Sequence, residues 1–132
     1  MDTPGGDTLF ARIGGQPAVD RLVDAFYARM STLPEAAVIR AMHADDLGPV
    51  KDVLKSFLGQ WMGGPPRYSE ARGHPRLRAR HLPFAIGAAE RDAWMLCMTG
   101  ALDEVVADPD LRGQLAAAFS RLADWMRNRD LD

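Results

Sequence analysis

The chain has 132 residues, 47% of them hydrophobic and 26% charged, with a formal net charge of -2 and a sequence pI near 5.9. That length fits one domain able to bury its own core, and the charge balance excludes a surface built throughout for nucleic acid or anionic membrane. A single cysteine, Cys97, excludes an internal disulfide and any multi-cysteine zinc or iron–sulfur site.

Residues 1–7 hold Pro, Gly and Asp, without the basic start or apolar core of a secretory signal. They are expected to be a flexible N-terminus, and the expected compartment is the cytoplasm. No apolar run is long enough to span a bilayer. Nearly every apolar cluster has helical spacing, which predicts an all-α fold. Residues 8–13 form a short helix stopped by Gly14 and Gly15. Pro17 suits a helix start, and Val19, Leu22, Val23, Phe26, Tyr27 and Met30 follow at steps of three and four. A short helical piece covers residues 34–42. Pro49 opens the next helix, with Val50, Val53, Leu54, Phe57, Leu58 and Trp61 on its stripe.

Residues 63–74 read as a loop, dense in Gly, Pro and charge. A structureless stretch of that length inside one domain suggests a function for it. Residues 75–81 read as a brief helix that Pro83 ends. It has Leu77 as its one substantial apolar anchor, too little to hold two turns by packing, and a metal bond through His81 would suffice. Two longer helices close the chain. One covers residues 88–107, with Cys97 as a buried structural thiol. The other starts at an Asp108-Pro109 cap and carries Leu111, Leu115, Phe119, Leu122 and Trp125 on its stripe.

Three histidines are available, His43, His74 and His81. Zinc needs three or four ligands, and only His74 and His81 have plausible spacing. No HExxH, GxSxG, P-loop or GxGxxG pattern is present. One histidine is enough for a haem, because the porphyrin itself supplies four of the iron's ligands. His81 is the best placed, at a helix end with Leu77 one turn earlier and Phe84 just beyond. A helix-end imidazole favoured by the helix dipole explains the same placement. His74 precedes Pro75 in a polar stretch and reads as solvent-facing. Arg72, Arg76, Arg78 and Arg80 crowd cations beside these histidines. They suit an anionic partner, a solvated face, or carboxylates such as haem propionates, for which Tyr68 is a further donor. The Tyr27 hydroxyl and the Trp94 indole each need a partner when buried. Aimed into a haem pocket, both can donate to dioxygen held at the iron.

Residues 57–68 (FLGQWMGGPPRY) and 73–84 (GHPRLRARHLPF) closely resemble the signature of the truncated haemoglobin family, and the Glu90–Trp94 stretch resembles its group II. The likeness covers residues 8–127, with 128–132 left as a C-terminal tail. It implies a two-over-two helical sandwich enclosing haem b, with His81 as the proximal iron ligand. It also implies Tyr27 and Trp94 as distal donors, Val50 and Leu54 on the distal haem side, and Phe57 and Phe84 near the porphyrin. Arg80 and Tyr68 are then candidates for the propionates. Two departures stand out. Val50, which cannot hydrogen-bond a ligand, takes the place of the distal histidine of other globins, and Met42 or His43 fills the corner before that helix. We favour His43, which can hydrogen-bond a ligand or bind iron itself.

The functional expectation is reversible binding of dioxygen or another diatomic gas at ferrous iron, as a monomer or homodimer. The rival within the same site is a redox enzyme, acting on nitric oxide or peroxide with a reductase. A haem-free interaction module using the arginine cluster is the third reading.

Overall fold

In the computed structural model, which describes residues 8–129, the described residues form helices and turns without a strand. The expected flexible residues 1–7 and the end of the expected tail, 130–132, lie outside them. Thr8 opens α1 (Leu9–Ile13) by accepting from the Ala11 amide, and Gly14, at φ 117°, ends it. Gly15, also at positive φ, leads into α2 (Gln16–Thr32). The six apolar residues predicted for its stripe are all buried, so the 3.6-residue period reported the core face correctly.

A 3₁₀ turn (Pro34–Ala36) and α3 (Ala37–Ala41) follow, then α4 (Gly48–Trp61). The predicted loop over residues 63–74 is corrected here, because it contains α5 (Arg67–Arg72). Helix α4 ends at Trp61, followed by Gly63 at φ 101°, and Pro66 caps α5, where the Glu70 amide donates to the Pro66 carbonyl. Tyr68, 2% exposed, anchors α5 to the core. Gln60 locks it to α4 with two bonds to Ser69, one to its hydroxyl and one from its amide. Composition masked this turn of helix, since the helix depends on a tertiary anchor and on the Gln60 carboxamide.

Next comes α6 (Leu77–His81), which starts two residues later than predicted because Arg76 sits at φ 49°, outside right-handed helix. Then come α7 (Ala88–Val105) and α8 (Pro109–Trp125), the latter capped by the Asp108 carboxylate on the Asp110 amide. The α2–α4 pair packs on the α7–α8 pair, chiefly through α2 against α7. This is the predicted two-over-two sandwich. Cys97 is buried as expected, and burial pushes its thiol pKa up.

Trp125 is a second correction. It was expected on the buried stripe of α8, but it is 61% exposed. Ala123 and Met126 of the same turn are buried, so Trp125 lies on the outer side of α8, where the Arg78 guanidinium lies over the indole, 5.5 Å from the ring centroid. No described helix is long and apolar enough to cross a membrane.

Candidate functional site

The two helix pairs and the stretch between α4 and α7 enclose a cavity of about 430 Å³. Its lining is largely apolar. From α4 come Val50, Val53, Leu54 and Phe57, and Tyr27 comes from α2. Ile39, Met42 and His43 come from α3 and its end, Tyr68 from α5, and Leu77, Arg80 and His81 from α6. Phe84 lies at the rim, 38% exposed, and Trp94 comes from α7. Every residue that the resemblance implied for the site therefore borders one space. Met42 and His43, posed as alternatives, both line it.

His81 ends α6 with its Nδ1 2.7 Å from the Leu77 carbonyl oxygen. A carbonyl only accepts, so Nδ1 carries a proton, and in the neutral ring Nε2 then keeps a free lone pair. His43 repeats the arrangement, with Nδ1 2.8 Å from the Ile39 carbonyl. Its ring meets the edge of Tyr27, with ring centroids 5.7 Å apart.

Tyr27 is 4% exposed and packed edge-on against Phe26. Burial raises its pKa from 10.0 to about 12, so the hydroxyl is a neutral donor at any working pH. Trp94 is wedged between Phe26 and Phe119, with ring centroids 5.1 and 5.9 Å away. Among the described residues, neither the Tyr27 hydroxyl nor the Trp94 indole N–H has a hydrogen-bond acceptor. Two donors thus border an apolar cavity without partners.

The arginine cluster divides by direction. Arg80 lines the cavity and an adjoining open groove, with Nε donating to the Pro75 carbonyl. Arg78 turns away toward the end of α8. His74 is exposed as expected, accepting from the Arg76 amide. Among the described residues no group of three or more His, Cys, Asp or Glu side chains is placed to hold a metal ion.

Sequence reasoning missed Ile39, Ile86, Leu122, Ala123 and Met126, which complete the apolar wall. Leu122 was assigned to the core stripe of α8, but the period of a helix does not say whether its face meets another helix or a cavity.

The chain matches the family model described as bacterial-like globin over residues 8–128. Group 2 truncated hemoglobin YjbI of Bacillus subtilis (strain 168) is 39% identical over 115 residues, covering 87% of this chain and 85% of that protein. The group II 2-on-2 hemoglobin of Agrobacterium tumefaciens superposes with a TM-score of 0.90 at 44% identity, covering 97% of this chain and 98% of that one. The cold-adapted truncated hemoglobin of the Antarctic marine bacterium Pseudoalteromonas haloplanktis TAC125 gives a TM-score of 0.90 at 37% identity, over 93% and 99% of the two chains. On this match in sequence and in fold, the chain belongs to the bacterial-like globins and, among them, to the group II truncated haemoglobins, which makes it a haem-binding globin.

Proposed function

We propose that this globin holds haem b through His81 and reversibly binds dioxygen or another diatomic gas beside Tyr27, Trp94 and His43. The carrying observation is the His81 hydrogen bond. With Nδ1 committed to the Leu77 carbonyl, Nε2 is the metal-ready nitrogen, and the ring orientation is fixed in advance. The space also fits a flat apolar group: about 430 Å³, walled mostly by aliphatic and aromatic side chains, within the ~300–1,000 Å³ usual for ligand pockets. When bound, haem b would supply ferrous iron able to take up a diatomic gas, with His81 as the residue that would hold it.

The remaining chemistry belongs to the chain. Tyr27 and Trp94 bring two donors to a low-dielectric space, where a hydrogen bond to a polarised ligand is stronger than in water. Val50 and Leu54 make no hydrogen bond there and exclude water. In the Ile39-bonded tautomer His43 offers only a lone pair on Nε2. A neutral His43 therefore accepts from the Tyr27 hydroxyl or holds a metal, and it donates to a ligand only as an imidazolium. That narrows the two roles expected from the sequence. Arg80 keeps its terminal guanidinium nitrogens available for a propionate, and Tyr68 adds a hydroxyl to the same cavity.

Absorption spectra of the purified protein, ferric and then ferrous under carbon monoxide and under dioxygen, test this reading. A Soret band that sharpens under carbon monoxide and is lost or weakly held in His81→Ala is the expected result. No Soret band after haem addition, or unchanged spectra in His81→Ala, would overturn it. Sustained consumption of nitric oxide or peroxide with a reductant would replace the gas-binding reading with a redox enzyme at the same site.

A further inference from the structure

We infer that Asn128, assisted by Arg78, is the positioning residue for His81. This inference rests on the proposed role of His81 and extends it to residues beyond the cavity wall. Helix α6 has five residues, none of them buried, and begins at the left-handed Arg76. A helix that short does not hold itself, because fixing the first turn costs more than its few hydrogen bonds return.

Its restraints come from the far end of the chain. The Asn128 side-chain Nδ2 donates to the His81 carbonyl at 3.2 Å and to the Phe84 carbonyl at 2.8 Å. Its Oδ1 accepts from the Ile86 amide at 2.9 Å. The backbone amides of Asn128 and Arg129 both donate to the Ile86 carbonyl. On the opposite flank, Arg78 Nη1 donates to the carbonyls of Trp125 (2.8 Å) and Arg127 (3.1 Å). The chain on both sides of His81 is therefore clasped to the end of α8.

A carboxamide suits this position because it combines two N–H donors with an acceptor, and all three capacities are used. Aspartate would keep the acceptor but set a carboxylate against two carbonyls. The clasp grips the His81 main chain, while the imidazole is bonded within α6 to Leu77, so a shift of α6 carries the ring with it. Asn128 thus sets how closely Nε2 approaches a metal in the cavity.

The test uses the full-length holoprotein with Asn128→Ala and Asn128→Asp. The readouts are the ferrous iron–imidazole stretching band by resonance Raman and the rate of haem transfer to an acceptor globin. Both variants are expected to move the band and to lose haem on the order of ten-fold faster, as the loss of the Asn128 hydrogen bonds implies. Asn128→Asp should be no better than Asn128→Ala, since the donors matter. A residue that only stabilises the fold would lower the melting temperature and leave the band in place. An unmoved band with haem loss within about two-fold of the parent overturns the inference.

Should the parent chain bind no haem, the role of His81 fails instead, and hydrogen exchange in the haem-free chain decides the clasp by itself. The Leu82 and Phe84 amides, bonded to the Ala79 and His81 carbonyls, would exchange on the order of ten-fold faster in Asn128→Ala if the clasp holds α6. Unchanged exchange there would sink it.

Discussion

Replacing Tyr27 with Phe separates ligand stabilisation from fold stability, because the two are expected to respond differently. The substitution keeps the ring, its edge contact with Phe26 and its contact with His43, and removes only the hydroxyl. That hydroxyl borders an apolar cavity and has no acceptor among the described residues. A hydrogen bond from it to a bound diatomic ligand contributes about 1–1.5 kcal/mol net. Dioxygen release should then accelerate roughly five- to twelve-fold, with the Trp94 indole remaining as a second donor. In the haem-free chain the same hydroxyl is a desolvated donor without a protein partner, so deleting it should not lower the melting temperature. Stopped-flow displacement of dioxygen by carbon monoxide gives the first quantity, and thermal unfolding gives the second. Unchanged release would refute the distal role of Tyr27. Unchanged release together with a lower melting temperature would show that the hydroxyl serves the fold instead.

The buried phenol also makes a pH prediction. Its pKa is raised in the folded state, from 10.0 to about 12, so folding favours the protonated form. Stability is therefore unaffected below pH 10 and declines as pH rises through 12, by on the order of 2–3 kcal/mol in all, because the unfolded phenol ionises first. Denaturant titrations across that alkaline range should show this decline in the parent and a flatter profile in Tyr27→Phe. Gly64→Ala should destabilise by roughly 1–3 kcal/mol. The new Cβ would meet the Phe10 ring at 2.6 Å and the Gly59 carbonyl oxygen at 2.8 Å, and urea unfolding that shows no loss would contradict the tight α1–α4 junction. Phe119, fully buried between Trp61 and Trp94, should cost about 3–5 kcal/mol as Ala. Trp94 would lose its support, so dioxygen release should also quicken, and normal release would show that Trp94 is held by Phe26 alone.

How much was legible in the sequence follows from the range of the forces involved. The stripe of α2, the glycine stop at Gly14 and the Asp108 cap are local, decided by residues within a few positions, and periodicity found them. Helix α5 was not legible. Its Gly- and Pro-rich surroundings look like loop, and what makes it helical is the burial of Tyr68 and the Gln60 carboxamide on Ser69. Trp125 shows the opposite error, a large apolar residue assigned to the stripe although Ala123 and Met126 are the residues of that turn that are buried.

For the site, the residue types and the 73–84 run resembling the truncated haemoglobin signature were enough to single out His81, Tyr27 and Trp94. They were also enough to expect that the short helix needs an external hold, although the expected hold was a metal bond alone. The tertiary structure decided what the neighbours do to those groups. It brings Tyr27, His43, Trp94 and His81 around one cavity, and it sets the tautomer of each lining histidine through a carbonyl four residues earlier. It also ties α6 to Asn128, 47 positions after His81. Spacing along a helix reports which side chains share a face. It carries no information about hydrogen bonds closed between segments that meet only after the chain has folded.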